Sequence, residues 1–172
     1  IDFLTRTRLL PLIILPFMSC NQQTQAVANR NYVDEIIFDP KLDDSDFKTC
    51  DDDKYTIQYF NNSKGLEYKG GKPAIEATVI RQYKAPSRKG ETGLIRIRFV
   101  VNCKGEAGRF RLMGMDESYE EKKFSKKITR QLLDITKRLD GWMVKSLRGN
   151  TRDYYQYLIF KIEDSEMVKI LP

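Results

Sequence analysis

Histidine is absent from all 172 residues. Its absence removes the commonest general base, the usual activator of a nucleophilic Ser or Cys, and the commonest metal ligand. The nucleophile candidates that remain are Cys50, Cys103 and scattered Ser and Thr, none with a histidine to activate it. No repeat of fixed period and no collagen-like spacing is present. Recognisable metal and phosphate loops are missing too. Counted from Asp44, "DDSDFKTCDDD" has Thr49 where a calcium loop needs Gly and Tyr55 where it needs Glu. "GLEYKGGKP" puts Gly71 where a phosphate loop needs Lys, and Pro73 where it needs Ser or Thr. Glu120 and Glu121 stand at the start of a predicted helix, where acidic side chains suit the helix dipole. Neither enzymatic activity nor a metal or cofactor is expected.

Long apolar runs are scarce as well. Leu9 to Met18 is apolar but is broken by Pro11 and Pro16. It falls well short of the roughly 20 residues a bilayer span needs. With Arg6 and Arg8 before it, the stretch 1–19 reads as a signal peptide. Its ending, "FMSC", resembles a bacterial lipobox, which predicts that Cys20 is lipidated and becomes the first mature residue. Asn21, Gln22 and Gln23 follow, in place of the acidic residues of a surface-export signal. The expected location is the cell envelope, lipid-anchored in the outer membrane and facing the periplasm.

Charge is unevenly spread. Residues 21–90 balance to zero, whereas residues 91–172 carry a net +5. A basic exported domain points away from nucleic acid and toward acidic envelope partners such as peptidoglycan or lipid headgroups. Residues 20–31, from the lipidated Cys20 through "NQQTQAVANRN", read as a flexible tether about 35 Å long when extended. Residues 32–72 form an N-terminal extension in which "VDEIIF" and "YTIQYF" suggest short strands. "PAIEATVIRQY" opens on Pro73 and repeats apolar residues at helical spacing, predicting a short helix.

The clearest pattern is "LIRIRFVVNCKGEAGRFRL". Ile95, Ile97, Phe99 and Val101 alternate with Arg96 and Arg98, and Phe110 and Leu112 alternate with Arg109 and Arg111. Two strands joined by a turn at Gly105 follow, each with one apolar and one basic face. Ser118 and Glu121 have capping-box spacing, and Phe124, Ile128, Leu132, Ile135 and Leu139 form one stripe. These predict a single helix from Tyr119 to Leu139, roughly 31 Å long. "DYYQYLIFKI" reads as a third long strand. The expected fold is α+β: a three-stranded antiparallel sheet of order 2-1-3 packed on one long helix, preceded by a short helix and an irregular N-terminal segment. The third strand then lies at an open edge, unless "EMVKIL" covers it.

In order and spacing, "GLIRIRFVVNCKGEAGRFRL", the helix before Gly141 and Trp142, Gly149 and "DYYQYLIFKI" together resemble the TonB C-terminal domain family. The likeness spans residues 73–172. Val144 stands where that family has Pro, two residues after its Trp. The resemblance implies a non-catalytic interaction module. It would bind an outer-membrane transporter or other envelope protein by strand addition at the last strand, through Tyr155, Tyr157 and Ile159. The other reading is a structural envelope lipoprotein that contacts peptidoglycan without a peptide ligand. Once Cys20 is lipidated, Cys50 and Cys103 are an even pair in an oxidising compartment and can form a disulfide.

Overall fold

A computed structural model describes residues 35–51, 53–58 and 66–171. The signal peptide, Cys20 and the tether lie outside the described residues. After a single 3-10 turn at Asp53–Tyr55, the elements run α1 (Gly71–Gln82), β1 (Gly93–Val101), β2 (Ala107–Met115), α2 (Lys126–Lys137), β3 (Lys145–Leu147), β4 (Asn150–Arg152), β5 (Tyr154–Glu163) and β6 (Glu166–Leu171). The fold is α+β with two helices. A four-stranded antiparallel sheet has the order β2-β1-β5-β6, and β3 and β4 make a separate small hairpin. The expectation of a three-stranded sheet on one long helix is therefore wrong on both counts.

The extra strand comes from the chain's last residues. Asp164 and Ser165 both take positive φ, at 48° and 67°, and reverse the chain after β5. Asp tolerates the left-handed region better than most residues, and here the turn is also tied down from outside. Ser165 donates its N–H to the Glu91 carbonyl at 2.7 Å, and the Tyr83 hydroxyl donates to the Ser165 carbonyl at 2.8 Å. The "EMVKIL" segment then pairs with β5 from Glu163↔Glu166 to Ile159↔Leu171, and Ile170 is fully buried.

The long helix fails because its first turns are spent elsewhere. Asp116 Oδ1 accepts the N–H groups of Ser118 and Glu120, and Tyr119 turns at φ 64°. Glu121 bridges to Met115, and Lys122 donates its N–H to the Gly114 carbonyl at 2.9 Å. Residues 120–122 thus run back along β2. Helix α2 starts only after Ser125, whose carbonyl accepts the N–H groups of Ile128 and Thr129. Its 12 residues span about 18 Å. Glu120 and Glu121 are consequently not at a helix start.

Both helices pack on one sheet face. Ile75 and Val79 of α1 join Ile128, Leu132 and Ile135 of α2 against Ile95, Ile97, Phe99, Leu158, Phe160 and Ile170. Trp142 closes one end of this core, its ring 4.9 Å from Phe99 and 4.8 Å from Tyr68. The other sheet face carries Arg96, Arg98, Arg111, Tyr155, Tyr157, Ile159, Lys161 and Lys169, as the register of β1, β2, β5 and β6 requires. "VDEIIF" is not a strand over its described part, and "YTIQYF" contributes one bridge, Ile57↔Tyr154.

Candidate interaction surface

The basic outer face is built first by alternation, and half of it is then used internally. Ile36 and Phe47 of the extension pack on Val100 and Tyr155, forming a second small core on that face. Gly108 permits the approach, because a Cβ there would collide with the Phe47 ring. Arg111 grips the extension with both ends of its guanidinium, at 2.6 and 2.7 Å from the two Asp43 carboxylate oxygens. The same side chain donates to the Ile37 carbonyl at 2.8 Å, and Arg109 donates to that of Ile36 at 3.2 Å. Hydrogen bonding from Arg111 holds the Asp43 carboxyl below the ordinary carboxylate range. The arginines of β2 therefore bind this chain's own extension.

A second tie lies at the end of the β1–β2 turn. Cys50 and Cys103 form a disulfide, with Cα atoms 5.9 Å apart. Asp153, just before β5, is almost fully buried beneath it. Its Oδ2 accepts the N–H groups of Cys50 and Asp51 at 2.8 and 3.1 Å, and its Oδ1 accepts that of Cys103 at 2.8 Å. The Cys50, Cys103 and Asp153 ligand atoms lie within 4.8 Å of one another. With both sulfurs spent in the disulfide, Asp153 alone could ligate a metal there.

These ties decide where the expected contact residues stand. Tyr155 is buried: its hydroxyl accepts the Ile36 N–H at 3.3 Å, and Arg98 lies over its ring. Tyr157 and Ile159 are half-buried on the outer face. The edge of β5 is covered at both ends, by Ile57 at Tyr154 and Tyr155 and by β6 from Ile159 onward. An open edge on β5 presenting these three residues is thus replaced by the edge of β6. Beyond β6 no strand pairs among the described residues.

A groove of about 270 Å³ runs from β6 across β5 and β1 to the loop after β2. Leu94, Ile162 and Leu171 are apolar residues of its lining, together with Tyr119, Lys161, Lys169 and Glu117. Tyr119 is highly exposed and is held in the left-handed region by the Asp116 turn. Lys161 and Lys169 stand directly opposite each other across β5 and β6. Lys161 is ion-paired with Glu163, which raises its pKa, and Glu117 adds to the effect. Lys169 has no acidic partner among the described residues. At the turn into β6, burial pushes the Tyr83 hydroxyl up to about 12, with Glu166 and Glu91 adding to the shift.

Comparison with protein-family models, with curated proteins and with solved structures finds no match for the chain. Any functional reading rests on its own residues. Among those described, no helix is long and apolar enough to cross a membrane. Sequence reasoning missed Asp153, the Asp43–Arg111 pair, Tyr119 and Lys169. Asp43 had a usable signal, since an acidic stretch and an arginine-striped hairpin in one small chain are natural partners. Asp153 had none, because its role depends on three N–H groups from two distant segments.

Proposed function

We propose that the chain is a non-catalytic, lipid-anchored interaction module of the periplasm. It receives an extended segment of an outer-membrane transporter or other envelope partner by strand addition. The observation that carries this reading is the outer edge of β6. Asp153 and Tyr155 turn their backbone groups toward Ile57, so by alternation Ile159 and Lys161 turn theirs toward Leu171 and Lys169, and the backbone of Ile170 between these faces outward, ready to pair with an added strand. The rest of the sheet supports the reading. The far edge, on β2, is crossed by residues 120–122 at Met115 and Gly114, and the β5 edge is capped at both ends. Resemblance to the TonB C-terminal domain family and the lipobox-like "FMSC" supply the class of partner and the anchor.

Two measurements test this. A photo-crosslinking amino acid at Val168, which is half exposed on β6, should capture a transporter segment in intact envelopes. Crosslinks to peptidoglycan alone would replace this reading with the structural-lipoprotein one. For the anchor, Cys20→Ala should release the protein from the membrane fraction; unchanged membrane association without lipid on the mature N-terminus would refute lipidation.

A further inference from the structure

We propose that the outer face of β6 selects the added strand for an acidic side chain opposite Lys169, placed two residues from an apolar one beside Leu171. The inference rests on strand addition at β6 and names the kind of partner that site takes.

Three observations converge on Lys169. Lys161 and Lys169 are a like-charge pair directly opposite across the ladder, an arrangement that costs stability unless something answers it. Glu163 and Glu117 answer Lys161. Lys169 stays exposed and unanswered among the described residues, on the strand that has the open edge. A residue of an added strand opposite Lys169 projects onto the same outer face, within reach of its ammonium. An acidic side chain there completes the missing cross-strand pair.

The apolar requirement comes from the period of the strand. Side chains two residues apart share a face, so the added residue beside Leu171 falls on the same side as the one beside Lys169. Leu171 is half-buried on that face, next to Ile159 of β5. Backbone pairing supplies affinity; the cation and Leu171 supply register and choice of partner.

The test uses the full chain and three fluorescein-labelled ten-residue peptides of alternating pattern. They carry Glu, Gln or Lys at one position, two residues from a Leu on the same face. By fluorescence anisotropy, the Glu peptide should bind about 2–5-fold more tightly than the Gln peptide, and the Lys peptide should bind more weakly still. Lys169→Gln should erase the ranking and Lys169→Glu should reverse it, with thermal melts confirming that both variants fold. Replacing the Leu by Ser should weaken the Glu peptide. Equal binding of all three peptides, lost on N-methylation of the peptide backbone, would overturn the selectivity while leaving strand addition standing. Binding of none of them would overturn both.

Discussion

Asp153 ties two distant segments to the start of β5. Both carboxylate oxygens accept main-chain N–H groups, two from the extension and one from the β1–β2 turn, while its carbonyl accepts the Ile57 N–H at 2.8 Å. Asp153→Ala leaves three donors without their acceptor and should cost about 3 kcal/mol. Asp153→Asn, which retains one acceptor oxygen, should fall between. A urea midpoint unchanged in the alanine variant would show that water replaces the carboxylate at no cost. Arg111 and Asp43 predict a pH response. The folded-state pKa of Asp43 lies below its ordinary 3.8, so the stabilisation is present above that pH and is lost as pH falls below it. Protection of the amides of residues 36–47, measured relative to their intrinsic exchange rates, should therefore fall in acid, and Arg111→Ala should remove the difference by weakening the contact at every pH. Equal acid sensitivity in both proteins would mean another carboxylate controls the extension.

At the scale of elements, β6 is the piece whose removal changes most. It covers Ile159 to Glu163 of β5 and buries Ile170 against the core. Ile170→Ala should destabilise by about 2–5 kcal/mol. The same substitution should raise exchange at the β5 amides while leaving those between β1 and β2 protected. Uniform exchange across the sheet would show instead that β6 unfolds only with the whole domain. The small hairpin of β3 and β4 illustrates turn chemistry deciding an element: Arg148 and Gly149 both have positive φ, as a two-residue hairpin loop demands. The shortened α2 shows the opposite, local helix signals overruled by pairing between residues 120–122 and β2.

Across the molecule, the extension and the hairpin are joined by the disulfide, by Asp153 and by Arg111. The Cys50–Cys103 link closes a loop of 53 steps, worth about 4 kcal/mol in the chain-entropy model. A Cys50→Ser, Cys103→Ser double variant should lower stability by that order, measured by urea denaturation. Residues 35–51 should then become cleavable by trypsin before β1 does. If the extension stays as resistant as in the parent, the Asp153 and Arg111 contacts suffice to hold it. The net +5 of residues 91–172 is also partly consumed within the chain, since Arg111 and Arg152 pair with Asp43 and Asp51 of the extension. Lys169 of β6 stays exposed on the outer face without an acidic partner among the described residues.

Period-two alternation in "LIRIRFVV" and "YYQYLIFKI" determined by sequence alone that β1 and β5 are strands with one apolar face, and Ile128, Leu132 and Ile135 likewise marked α2 as the helix that covers them. Such patterns are legible because each residue's side is set by its immediate neighbours along the chain. Only the tertiary structure decided where α2 begins, that "EMVKIL" becomes a fourth strand, and that Tyr155 is covered by Ile36. The first depends on Lys122 folding back eight residues onto Gly114, and the others on groups far apart in sequence: Glu91 and Tyr83 with Ser165, Arg111 with Asp43. A local pattern reports which face of a residue is apolar. It holds no information about which distant segment arrives to cover that face.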